Sequence, residues 1–298
     1  MLACAFLLAA AFACTPNHAV RPEGPVARVL TDDANRRVSL PLKVDRVISL
    51  APNLTEIVFA VGGGNRLVGR TSYCDFPAEA KSVTEVGDTR TPSLERIISL
   101  KPQVVLISTA SQLEIFTQQL QEQNIAVFVT DPRDLDGVFR SIGQVGEILG
   151  QKEQAGLVVQ KLRERVQTVE EKLKQEPPVR VFYQVSAEPL YTVGRDAFVT
   201  DLIRRAGGIS VTADVPGAWP KYSSESALAT RPEAIILPTG GSMGAANATV
   251  TEALRQSPAA LQGRVYKIND DHLARPGPRA IDGIEEMARA LHPNVFNQ

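Results

Sequence analysis

The stretch QKEQAGLVVQKLRERVQTVEEKLKQ, residues 151–175, decides how the chain is read. Its apolar residues Ala155, Val159, Leu162, Val166, Val169 and Leu173 are spaced 4, 3, 4, 3 and 4 apart. That spacing puts all six on one face of a helix. Lys161, Arg163, Glu164, Arg165, Glu170, Glu171 and Lys172 occupy the other faces, which suit water. No Gly or Pro interrupts after Gly156, and Pro177-Pro178 stop the pattern because proline cannot donate the next helical hydrogen bond. Such a helix is roughly 35 Å long, about the width of a small domain. Alone, it reads either as an ordinary amphipathic surface helix or as a strut between two lobes. The flanks favour the strut.

On the N-terminal side, residues 25–41 hold two β-prone runs around a polar turn at 31–35, a hairpin pattern. RVISL (46–50) is a short strand, Ala51-Pro52-Asn53 a break, and 55–61 a helix ended by Gly62-Gly63-Gly64. Strands are expected at 67–69, 103–108 and 125–130. Helices are expected at 93–100 with Ser93 as N-cap, at 112–123, and at 135–149 with Gly150 as terminator. After the strut, strands are expected at 179–184, 234–237 and 265–268, and helices at 197–206, 225–230, 250–255 and 279–291. This alternation predicts α/β architecture with mainly parallel sheets.

The two halves also share a signature. Glu95 is followed seven residues later by Pro102 and then Val104-Val105-Leu106; Glu225 is followed seven later by Pro232 and then Ile235-Ile236-Leu237. The predicted fold is therefore two Rossmann-like α/β lobes, residues 26–150 and 177–298, joined by a single long helix at 151–176, with a ligand cleft between the lobes.

The first 14 residues, MLACAFLLAAAFAC, are almost wholly apolar and too short to span a bilayer. They match the core of a secretory signal, without its usual charged n-region. Ala11-Phe12-Ala13 followed by Cys14 is both a cleavage pattern and similar to a bacterial lipobox, although alanine stands where leucine is usual. Cys14 is the expected lipidation site, and residues 15–25, with three prolines, the expected tether. An acylated Cys14 leaves Cys74 with no intramolecular partner, so no disulfide framework is expected. Apolar residues make up 44% of the 298 and charged residues 22%, a globular composition. With a net charge of −1 and no basic cluster, no nucleic-acid partner is expected.

RVISLAPNLTEIVFAVG (46–62), SYCDFP (72–77), PSLERIISLKPQVVLI (92–107), GRDAFVTDLIRRAGG (194–208) and WPKYSSESALATRPEAII (219–236) resemble the class III periplasmic binding proteins of ABC importers. The resemblance runs from about residue 29 to 291 and is greatest to the cobalamin-binding members. It implies no covalent chemistry and no cofactor. It implies a monomeric receptor outside the cytoplasm that captures a corrinoid or other metal chelate and delivers it to a membrane permease. The same kind of receptor for a ferric siderophore or haem is the first alternative.

A corrin ring is a broad, mostly apolar disc edged with amides, and it needs flat aromatic surfaces and a few hydrogen-bonding groups. The resemblance points to Tyr73 and to Trp219, the sole tryptophan, as the aromatic contacts, and to Asp271 and Arg275 as polar ones. Each also has a plainer reading, as core aromatics and a surface ion pair. Thr89 stands where some cobalamin-binding relatives have a second tryptophan, with Arg90 beside it. Glu95 and Glu225 match the acids that dock such receptors to basic residues of the permease. One such glutamate alone is explained by the helix dipole, whereas a symmetric pair can set register on a two-fold partner.

A resident metal is not expected. His18, His272 and His292 are the only histidines, and a metal-ion receptor needs several ligands converging on a small ion. His272 is the one candidate axial ligand to a bound metal chelate. A secreted serine hydrolase is a remote alternative: residues 240–244 fit G-x-S-x-G around Ser242, and Asp270, Asp271 and His272 follow in hydrolase order. No helix follows that serine directly, as a nucleophile elbow requires, so a glycine-rich loop explains the motif.

Overall fold

The computed structural model describes residues 26–108, 113–241 and 248–296. A hairpin opens it, β1 (Val26–Thr31) against β2 (Arg37–Pro41). Its polar turn docks on the first sheet. The Asp33 N–H donates to the Val129 carbonyl at 3.1 Å, and the buried Asp32 carboxylate takes the Val129 N–H at 3.3 Å and the Arg36 guanidinium at 2.7 Å.

The first half continues through β3 (Val47–Ser49), α1 (Pro52–Ala60), β4 (Leu67–Arg70), α2 (Leu94–Ser99), β5 (Val104–Ser108), α3 (Leu113–Glu122), β6 (Ala126–Thr130) and α4 (Leu135–Ile148). Its strands form one parallel sheet in the order β4-β3-β5-β6. β3 and β6 are buried along their whole length and β5 along nearly all of it, as strands covered on both faces must be.

Helix α5 (Lys152–Leu173) then carries the chain into the second half. There follow β7 (Val179–Ala187), β8 (Leu190–Thr192), α6 (Phe198–Arg205), β9 (Gly208–Ser210), α7 (Ser224–Ala229), β10 (Ala234–Thr239), α8 (Pro258–Leu261), β11 (Val265–Asn269), α9 (Asp270–Leu273), α10 (Ala280–Leu291) and α11 (Pro293–Phe296). β11, β10, β7 and β9 run parallel, and β8 folds back antiparallel on the C-terminal half of β7. The strand–helix alternation thus produces two mainly parallel sheets.

Helix α5 buries Ala155, Leu162, Val166, Val169 and Leu173, while Val159 is half-buried. The apolar stripe covers both halves of the molecule. Near its start, a Cβ on Gly146 of α4 would fall 2.3 Å from the Cβ of Ala155, so glycine permits the approach. About two turns on, the Arg163 guanidinium lies 4.4 Å over the Phe139 ring of α4. Further along, Arg165 reaches Asp282 (2.6 Å) and Glu285 (2.9 Å) on α10. Arg205 of α6 bonds Glu170 of α5 and, across the molecule, Asp136 of α4 at 3.3 Å. A single apolar cluster therefore runs from Val138 and Ile142 through α5 to Leu202, Ile284 and Met287.

Two expectations change, and two short strands are added. The strand does end before Pro52, but the helix expected from 55 starts three residues earlier: Pro52 is the first residue of α1, a position whose N–H has no helical partner in any case. Residues 252–256 form a 3-10 turn rather than an α-helix, and α8 starts at Pro258 directly behind it. β8 and β9 are three residues each, too short to show a period.

Candidate functional site

The loops at the C-terminal ends of the strands form the candidate site, the usual place for ligands in open α/β sheets. β4 leads into the loop holding Tyr73 and Asp75, and β3 leads into α1, which holds Asn53 and Glu56. From the second half, β11 leads into α9 and the segment 274–279, with Asp271, Arg275 and Arg279. These loops meet.

Arg275 is 7% exposed and is held by three carboxylates: Asp271 at 2.8 Å from its own half, and Asp75 at 3.0 Å and Glu56 at 3.3 Å from the other. Arg279 bonds both oxygens of Glu56, through Nη2 at 2.6 Å and Nε at 3.0 Å, and lies 3.8 Å from Asp271. Its guanidinium also stacks 4.1 Å above the Phe76 ring. Beside these ion pairs, Asn53 Nδ2 donates to the Pro276 carbonyl at 3.3 Å, and Gly277 packs against Asn53. Gly241 backs the cluster from the end of β10: a Cβ there would meet Asp271 Oδ1 at 2.6 Å.

Burial and pairing compete in this cluster. A carboxylate as buried as Glu56, 3% exposed, is tolerated because two guanidiniums meet it. Burial pushes the Asp75 carboxyl up, but the hydrogen bond and charge of Arg275 more than reverse this, and it sits below its usual value. Burial also works against the charge on Arg279, and Glu56 outweighs it, raising the guanidinium above its usual value. Asp270 goes the other way. Burial and the neighbouring Asp271 charge push it up, and Arg275 offsets only part of that.

Of the four predicted ligand contacts, the structure thus brings three into one neighbourhood. Asp271 and Arg275 are paired, and Tyr73 stands two residues before Asp75. The turn is anchored by buried Cys74, whose N–H donates to the Thr71 carbonyl, and Tyr73 is 38% exposed. Trp219 sits on a different loop, between β9 and α7. Its neighbours are fixed by main-chain bonds, Gly194 N–H to the Ala218 carbonyl and Thr192 N–H to the Pro220 carbonyl, while Trp219 itself is 47% exposed. Two large aromatics are thus displayed to solvent on firmly held loops. Thr89 and Arg90 lie in a turn organised by Asp88, which accepts the N–H groups of Arg90 and Thr91.

Glu95 and Glu225 are exposed in the first turns of α2 and α7, whose N-caps are Ser93 and Ser223. The two helices end alike, with Lys101 and Arg231 both in the left-handed region at φ 47°. His272 bonds Glu286 of α10 through Nδ1 at 2.8 Å, and His292 bonds the Gly207 carbonyl. Among the described residues, no group of His, Cys, Asp and Glu could hold a metal ion. Cys14, His18 and Ser242 lie outside the described residues.

Sequence reasoning missed Glu56, Asp75 and Arg279. A signal for the first was present: Glu56 is the one charge in the apolar run 54–61 and so required a buried partner.

A family model for periplasmic binding proteins matches residues 47–272, which include every residue of this cluster except Arg275 and Arg279. The chain belongs to the periplasmic binding protein family. It is a binding protein and not an enzyme. An ABC transporter substrate-binding lipoprotein of Bacillus subtilis, YvrC, is 32% identical over 91% of this chain and 87% of its own length. A vitamin B12-binding protein of Vibrio cholerae is 27% identical over 84% of this chain and 90% of its own. In the crystal structure of the periplasmic vitamin B12 binding protein BtuF of Vibrio cholerae, the likeness covers 86% of this chain and 99% of that one, with a TM-score of 0.74 and 27% identity. A periplasmic haem-binding protein, BhuT, shares the fold at a TM-score of 0.75 and 24% identity. The structural neighbours in this family have two lobes.

Proposed function

We propose that this chain is the cobalamin-capturing component of an ABC importer. As a substrate-binding protein of such an importer, it works on the extracytoplasmic side and hands a metal chelate to a membrane permease. The observation that carries the corrinoid reading is the near full-length likeness to vitamin B12-binding proteins in both sequence and structure. The aromatics support it. Tyr73 and Trp219 offer ring faces to a disc, while Asp271 and Arg275 offer hydrogen bonds to its amide edge. Glu95 and Glu225 dock the two halves onto the permease, and acylated Cys14 anchors the chain.

Calorimetric titration with cyanocobalamin tests the ligand. One-to-one binding is expected. Failure to bind at high micromolar cyanocobalamin, together with binding of haemin or a ferric siderophore, overturns the corrinoid assignment and keeps the importer role. Metabolic labelling with palmitate tests the anchor, since label should be lost on Cys14→Ala.

A further inference from the structure

The arginines of the candidate site already face carboxylates. Arg275 and Arg279 are the guanidiniums of the cluster, and Glu56, Asp75 and Asp271 face them at 2.6 to 3.8 Å. Counting Glu56, Asp75 and Asp271 alone, three carboxylates against two guanidiniums leave a net negative charge, and Asp270 adds no positive one. The arrangement is also fixed. Glu56 is 3% exposed, and its two oxygens receive three N–H groups from the two arginines. Asp75 is the outermost member, with a side chain 40% exposed.

An anionic ligand gains little from a guanidinium that already has a partner, and it meets the surplus carboxylate at close range. An amide edge meets no such penalty. Its N–H groups can bond the partly exposed carboxylate of Asp75.

We propose that Glu56 and Asp75 are specificity-determining residues: by neutralising Arg275 and Arg279, they tune the cleft to an uncharged, amide-edged ligand and against its carboxylate counterparts. This rests on the reading of that neighbourhood as the ligand site.

The test compares ligands that differ in charge and share a shape. Cyanocobalamin is titrated beside a derivative in which ring-edge amides are hydrolysed to carboxylates. The acid is expected to bind at least about tenfold more weakly. In Asp75→Asn that ratio is expected to shrink severalfold. A merely structural role for Asp75 would leave the ratio unmoved. Equal binding of amide and acid by the natural protein, or an unchanged ratio in Asp75→Asn, overturns the proposal. If neither corrinoid binds, the corrinoid reading fails separately, and haemin against its dimethyl ester decides the charge preference. Preference for the ester supports it. Preference for the free propionates, or no binding of any of the four compounds, overturns it.

Discussion

The carboxylate of Glu56 and the guanidinium of Arg279 meet through two hydrogen bonds, 2.6 and 3.0 Å long, although 223 residues separate them. They join α1 to the segment before α10 and so tie the two halves at the candidate site. Removing one partner leaves the other charge buried. Glu56→Ala is therefore expected to cost about 3 kcal/mol of stability. Urea denaturation checks this, and a loss under about 1 kcal/mol would show that the pair is solvated.

Trp219 is the only tryptophan, so intrinsic fluorescence reports on one site. Saturating cyanocobalamin is expected to quench it in a one-to-one titration. Trp219→Ala should weaken binding by about 2 kcal/mol, roughly thirtyfold, as loss of an aromatic anchor does. Full affinity in that variant would place the corrinoid elsewhere.

Charge reversal separates docking from capture. Glu95→Lys and Glu225→Lys lie on exposed first turns, and neither should alter cyanocobalamin affinity. Uptake by cells carrying the double variant should fall at least about tenfold. Unimpaired uptake would refute the docking role.

Acid should unfold the protein in part through Asp201. Burial pushes its carboxyl up, but the Leu135 N–H, Arg204 and Arg205 more than reverse this, so its folded value lies below the ordinary 3.8. A lowered folded value contributes stability that is fully present above 3.8 and lost as the pH falls through the folded value. Asp75 and Glu285 add to the same trend, and Asp270, raised by burial, opposes it. Asp201→Asn should flatten the fall in urea midpoint between about pH 5 and about pH 2.

The contact between α4 and α5 has no spare room. Gly146→Ala improves helix propensity by about 1 kcal/mol, yet its Cβ would meet that of Ala155 at 2.3 Å. Overpacking should win, with a net loss of about 1 to 2 kcal/mol. Combining it with Ala155→Gly should recover much of the loss in thermal melting.

The repeat was legible in the sequence because it is written twice. The Glu-to-Pro spacing of seven, 130 residues apart, corresponds to helices α2 and α7 with like caps, like exposure and left-handed residues at Lys101 and Arg231. A further matching pair was not legible. Arg46 donates to the Leu100 carbonyl at the end of α2, and Arg180 to the Thr230 carbonyl at the end of α7. Each bond joins residues about 50 positions apart, which no local spacing reveals. The site was half legible. Asp271 and Arg275 form one i, i+4 pair within a short segment. Their partners Glu56 and Asp75 lie some 200 residues earlier, and only the meeting of the two halves brings them near.

The continuous apolar cluster through α5 bears on how the molecule comes apart. Neither sheet can be released alone. Detaching the second would strip the stripe formed by Leu162, Val166, Val169 and Leu173, and would leave Glu56 without its arginines. Two sheets would ordinarily suggest two melting steps. Here one apolar cluster spans both, so a single cooperative melt is expected, and residues 26–150 expressed by themselves would lack the surface that completes their fold.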